Sequence, residues 1–282
     1  MLTSLDHGVL LCRNIGDGVK AYETLLGIAP IWRARDNDAG IETALFSVAN
    51  TAIELLAPIK GGAAEARVLQ LLDGKEGKLT SLAFVAADIE AAHNTLTRRG
   101  LKPSLISNGE SENLSTGLKR SWRRFRCDDE ACAGIKTFIL QPDAPLAATP
   151  ATSGTATSLD HLVINTPNPE RAVATYGARL GLRFALDRTA EQWKTRFLFF
   201  RLGGLTLEVI HRLGEPHDGA ANDTIWGLTW ETDDLIAART RLEAAGLDVS
   251  EIRTGRKPGS EVFTVRNGTQ DVPTLFIAHA AR

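Results

Sequence analysis

The chain has 282 residues, with 32 Lys and Arg against 34 Asp and Glu, a net charge of -2 and 43% hydrophobic residues. That length favours two domains, each able to bury a core, and the composition excludes a largely disordered chain. The balanced charge removes the electrostatic drive for non-specific nucleic-acid binding, and no apolar run approaches the roughly 20 residues a membrane span needs.

Residues 5–12 read as a short apolar strand, and Asn14 sits where a helix N-cap belongs. The helix it opens ends at Gly27, the residue type that tolerates a left-handed C-cap. Strand patterns follow at 29–35, 41–48 and 51–57, separated by Asp36-Asn37-Asp38 and Ala49-Asn50. Segment 63–73 has the apolar spacing of an amphipathic helix. A strand at 80–86, a helix capped by Asp88 and ended by Gly100, and a closing strand at 135–141 complete this stretch. Between the last two lies the densest basic run, 119–126. On a strand it places Arg120, Trp122, Arg124 and Arg126 on one face, suited to an anionic or aromatic ligand. A solvated face balanced by Asp128, Asp129 and Glu130 is the commoner outcome for such a run.

The pattern then restarts. Ser4-Leu5-Asp6-His7 returns as Ser158-Leu159-Asp160-His161, an offset of 154 (161 − 7), and the register holds from Asn14/Asn168 through Tyr22/Tyr176 and Phe46/Phe200 to Glu54/Glu208. A duplication explains this. Pro169 suits the first helical position after Asn168, Gly181 ends that helix, and strand patterns follow at 183–188, 194–201 and 205–211. A strand at 226–231, a helix from Asp234 to Gly246 and a strand at 273–279 finish the chain. The organisation expected is residues 1–143 holding two βαβββ units, a linker at 144–157 rich in Ala, Thr and Pro, and 158–282 holding two more.

Four βαβββ units, with Leu-Asp-His opening the odd ones and a Glu on their last strand, resemble the vicinal oxygen chelate superfamily, which includes glyoxalases, bleomycin-resistance proteins and extradiol dioxygenases. The resemblance implies an α+β fold of two glyoxalase-like domains with curved mixed sheets. It also implies metal ligands on the first and last strands of the units. On that pattern His7 and Glu54, with His161 and Glu208, are the candidate ligands of a divalent metal (Zn, Ni, Fe or Mn), and the two Glu are the candidate catalytic bases. In the even units, Ser81 and Gly227 take the first-strand position and Phe138 and Phe276 the last-strand position, where neither Gly nor Phe can ligate.

If neighbouring units pair, each cavity has one His and one Glu, half of a catalytic metal site. If units one and three face each other, within the chain or across a homodimer, the four residues form a set like that of glyoxalase I. The leading expectation is a metal-dependent lyase or isomerase acting on a small oxygen-chelating substrate. A metal-free binding protein of the bleomycin-resistance type, with Phe138 and Phe276 lining apolar cavities, is the alternative, and an extradiol-type dioxygenase the third. Trp122, Arg124 and Arg126 are the candidate substrate contacts.

His211 and His279 lie three residues beyond Glu208 and Phe276, which places them on the opposite strand face, as rim or surface groups. Trp226 and Trp230 share a face and are expected in the core; His93 and His217 are expected to carry no role. Cys12, Cys127 and Cys132 close no disulfide framework and match no zinc-finger spacing, and no secretory signal is visible. The expectation is a cytoplasmic protein whose partner is a small molecule, with no nucleic-acid or membrane partner.

Overall fold

Asn14, Asp88, Asn168 and Asp234 are the punctuation on which the fold is built. Each side chain accepts a hydrogen bond from the backbone N–H three residues on, at 3.1, 2.8, 2.9 and 2.9 Å, a cap worth about 1 kcal/mol per helix. In the computed structural model, which describes residues 1–215 and 220–280, they open helices α1 (Ile15–Leu26), α3 (Ile89–Arg98), α4 (Pro169–Ala172) and α5 (Leu235–Ala244). His217 lies outside the described residues. The amphipathic segment forms α2 (Glu65–Leu72). In unit three the helix departs from the expectation of three α-turns, because Val173–Arg179 winds as a π-helix. There Tyr176 donates to buried Asp223 at 2.8 Å, whereas Tyr22, its counterpart in α1, has a buried hydroxyl with no partner among the described residues.

Two eight-stranded mixed sheets carry these helices. The first runs β2 (Trp32–Asp36), β3 (Ile41–Ser47), β4 (Ala52–Pro58), β1 (Leu2–Cys12), β5 (Gly77–Ala86), β8 (Lys136–Pro142), β7 (Lys119–Arg126) and β6 (Ser107–Glu112). The second repeats it as β10 (Arg183–Ala190), β11 (Thr195–Leu202), β12 (Leu205–Arg212), β9 (Ser158–Asn165), β13 (Thr224–Glu231), β16 (Thr274–His279), β15 (Ser260–Val265) and β14 (Arg253–Thr254). Each sheet joins an odd unit to the even unit that follows it, through the antiparallel pairs β1–β5 and β9–β13. This is the α+β arrangement of paired βαβββ units.

One face of each sheet packs under its helices. In the first half Tyr22 of α1 meets Phe46 of β3 at 6.0 Å between ring centroids, and both are fully buried. The apolar cluster built this way continues into the second half without a break, through Leu159, Leu162 and Ile164 to Phe263 and Phe276. Residues 144–157 form no helix or strand and lie across the junction, where the N–H of Ala156 donates to Leu26 O at 2.9 Å. Asn50 copies a backbone pairing across that junction. Its Nδ2 donates to Leu159 O at 2.8 Å and its Oδ1 accepts from Leu159 N at 2.9 Å.

The other face differs between the halves. In the first, α2 lies over one end of it, with Val68 and Leu72 packed on Val9, Leu11 and Leu56. Among the described residues the second half has no matching helix, and its face carries Phe197, Ile210 and Val163 with Trp193 and Phe199 against them.

Candidate functional site

Successive strand side chains alternate faces, so Asp6 and His7 would normally point apart. A register shift between Leu5 and His7 in the β1–β5 ladder breaks that alternation and lets them meet. His7 Nδ1 lies 2.7 Å from Asp6 Oδ1. An ionised carboxylate only accepts, so Nδ1 carries the proton and Nε2 is turned toward Glu54 Oε2, 3.5 Å away. Asp6 Oδ2 accepts a second bond, from Arg120 Nη2 at 2.8 Å. Burial pushes the Asp6 carboxyl up, but the hydrogen bond and charge of His7, with Arg120 behind it, hold it below the ordinary carboxylate range. Burial likewise opposes a charge on His7, and Asp6 and Glu54 outweigh it, so its pKa is raised.

This pair opens on a cavity of about 320 Å³ between the sheet and α2. Arg67, Arg120, Arg124 and Lys136 line it, with Trp122 and Phe138 as its aromatic walls. Of the basic run, Arg120, Trp122 and Arg124 thus line the cavity and Arg126 does not, while Lys119, Arg123 and Arg124 keep solvent exposure. Arg120 stands over Trp122 at 5.6 Å, and Arg124 and Arg126 stand over Phe138 at 5.9 and 6.0 Å. Arg126 also pairs with Asp129. Among the described residues, Arg67, Arg124 and Lys136 have no carboxylate within ion-pair distance. Burial first, then the charge of Arg67, hold the Lys136 ammonium below its ordinary pKa.

The second half builds the same Asp–His–Glu line. His161 Nδ1 lies 2.5 Å from Asp160 Oδ1 and its Nε2 lies 3.6 Å from Glu208 Oε2. The Thr229 hydroxyl is 2.9 Å from Nε2. Lys257 takes the place of Arg120, donating to Asp160 Oδ2 at 2.7 Å, and His279 joins it at 2.8 Å. Arg256 covers the aromatic shelf, 4.2 Å from the Trp193 ring centroid and 5.5 Å from that of Phe197.

Several sequence-derived placements are corrected. His7 with Glu54 and His161 with Glu208 lie on separate sheets, and among the described residues the four are not gathered into one ligand group. Phe276 does not line a cavity: it is fully buried under the helices and stacked on Phe263 at 5.3 Å. The ladder explains why. Phe138 pairs with Ala83, and in the second half the corresponding pair is Thr229 with Leu275, one residue earlier. His279, four residues beyond Leu275, therefore shares the face of His161 and reaches Asp160. His211 is on the opposite face as expected, but buried, with Nδ1 3.0 Å from Thr166 O. Trp230 is buried in the core, while Trp226 is 42% exposed.

The donor set does not fit a catalytic divalent metal. Such centres take three or four protein ligands. The first face offers one imidazole and one ligand carboxylate, with Ser81 and Phe138 at the other two positions; on the second, Gly227 and Leu275 stand at those positions, and the further imidazole, His279, is turned to Asp160, which Lys257 and His161 already engage. Among the described residues no group of three or more His, Cys, Asp or Glu is arranged to hold an ion. The residues that the sequence reading passed over are Asp6, Asp160, Arg67, Lys136 and Lys257. The two Asp were visible as the middle of the doubled Leu-Asp-His, while the three cations carry no local signal.

Residues 5–154 match the family model for a glyoxalase-like domain, and residues 160–263 match that of the glyoxalase/bleomycin resistance protein/dioxygenase superfamily. An ethylmalonyl-CoA/methylmalonyl-CoA epimerase of Cereibacter sphaeroides is 31% identical over 97 residues, covering 32% of this chain and 72% of that protein. Among solved structures, a triple mutant of 4-hydroxymandelate synthase from Streptomyces coelicolor is similar along 100% of this chain and 94% of its own, with TM-score 0.71 and 13% identity. The Mn(II)-bound glyoxalase from Novosphingobium aromaticivorans covers 98% of this chain and 82% of its own, with TM-score 0.65 and 14% identity. At those identities the two structures establish a shared fold. With one family model spanning more than half of the chain and a second spanning most of the remainder, the protein belongs to the glyoxalase/bleomycin resistance/dioxygenase superfamily.

Proposed function

We propose that the first half of the chain binds a small organic anion with an aromatic or apolar body, and does so without a metal ion. The observation that carries this reading is the gathering of Arg67, Arg124 and Lys136 on one cavity with no carboxylate paired to them among the described residues. Arg67 and Lys136 repel each other, and a bound anion would relieve that repulsion. Trp122 and Phe138 offer ring faces for the body of the ligand, and a guanidinium can grip a carboxylate by two parallel hydrogen bonds. Arg120, already engaged by Asp6, serves to hold the floor.

Titration calorimetry of EDTA-treated protein with benzoate tests this. Saturable binding is expected, weakened roughly tenfold or more in Arg124→Gln, the cost of one lost charge-assisted contact. Binding that vanishes on chelation and returns with Mn, Ni, Zn or Fe(II) would restore the metal-dependent reading.

A second reading, proton transfer on the bound anion, draws on the alignment of Asp6, His7 and Glu54. With Nδ1 committed to Asp6, the deprotonated form of His7 would take a proton at Nε2, and Glu54 can pass that proton on or return it. It predicts solvent deuterium at the α carbon of mandelate, detected by NMR and lost in His7→Gln.

A further inference from the structure

Resting on that anion-binding reading, we infer that the ligand carries two anionic groups, bound at opposite ends of the cavity with the His7–Glu54 pair between them. The ladder separates the cations into two places. Arg124 pairs with Leu140 on β8, and Lys136 lies four positions earlier on the same strand, about 13 Å away along the backbone. Phe138, midway between them, stands in the row that runs through Ala83 to His7. One anion position is therefore at Arg124, on the β7 side. The other is at Lys136 and Arg67, under α2.

The second position has its own grounds. α2 has no counterpart among the described residues of the second half, and it brings Arg67 and the apolar side chains of Val68 and Leu71 to the cavity. Two cations thus face one end of a cavity with no carboxylate in ion-pair contact among the described residues, and burial and Arg67 outweigh the more distant charge of Asp129 at Lys136. Coulomb repulsion at such an end is unfavourable unless an anion sits between the two heads. A single carboxylate held at Arg124 leaves that end unsatisfied; a second carboxylate or a phosphate fills it.

The experiment compares benzoate, terephthalate and 4-carboxyphenyl phosphate on the full chain by titration calorimetry. At least one of the two doubly anionic probes is expected to bind roughly tenfold or more tighter than benzoate. The ratio of that probe's affinity to benzoate's is expected to fall to about one in Arg67→Gln and in Lys136→Gln. Arg67 is exposed on α2, so its variant keeps the fold, which circular dichroism checks. Whichever doubly anionic probe shows the gain identifies the second group as carboxylate or phosphate. Equal affinity for all three probes, or a gain that survives both substitutions, overturns the inference and leaves the anion-binding reading standing. No binding of any probe, benzoate included, overturns both.

Discussion

Arg120 crosses from β7 to donate to Asp6, and Lys257 reaches Asp160 in the other half from a different stretch of chain, the turn before β15. Both halves thus anchor the Asp–His couple with a cation, although no repeated residue supplies it. The Asp6 side chain is only 5% exposed. Breaking one partner of a buried ion pair strands the other. Arg120→Met should therefore destabilise the fold by about 3 kcal/mol in urea denaturation. Asp6→Asn added to it should cost much less than the sum of the two single changes.

The same couple gives a pH signature. Asp6 has a pKa lowered from 3.8, so its contribution is complete above that value and is lost as pH falls through the folded pKa. His7 has a pKa raised from 6.5, so its contribution is complete below 6.5 and is lost as pH rises through the folded pKa. The stability difference between the wild type and His7→Gln should be greatest between about pH 4 and 6.5. It should shrink on either side, as read from urea midpoints at each pH.

Phe138 and Phe276 look equivalent in the sequence and should behave differently. Phe276→Ala opens a hole in a filled core and should cost about 3–5 kcal/mol. Phe138→Ala removes a cavity wall and should cost about 1 kcal/mol, while weakening benzoate binding. Chemical denaturation and calorimetry on the two variants separate these effects.

Arg241 joins the halves: its Nε donates to Gly154 O of the linker at 3.1 Å, and its two terminal nitrogens donate to the last carbonyls of α1, Leu25 O at 2.9 Å and Thr24 O closer still. Those carbonyls have no partner within the helix itself. Arg241→Met should lower the thermal midpoint by several degrees, corresponding to about 2 kcal/mol, without changing ligand affinity.

Much of the architecture was legible because duplication repeats its punctuation. Asn14 and Asn168, Gly27 and Gly181, and the doubled Leu-Asp-His fixed the odd units, and Asp88 and Asp234 fixed the helices of the even ones. The even-unit strands were harder to place. β16 is apolar on both faces, so nothing in Thr274–His279 distinguishes Leu275 from Phe276 as the cavity-facing residue. A register shift between Thr229 and Trp230, with no mark in the sequence, accompanies it. That single-residue slip also misplaced His279. The pairing of His7 with its neighbour Asp6 depends on another such shift, which strand alternation alone argues against. Arg67 and Lys136 were invisible as partners because a helix and a strand far apart in sequence bring them together.

The most direct test of a metal-independent anion site is a crystal structure of chelator-treated protein soaked with 4-bromobenzoate. The bromine anomalous signal should lie between Trp122 and Phe138, with the carboxylate on Arg124 and no cation between His7 and Glu54. Ligand oxygens coordinated to an ion held by His7 and Glu54, or bromine signal confined to the face of His161 and Glu208, would contradict it.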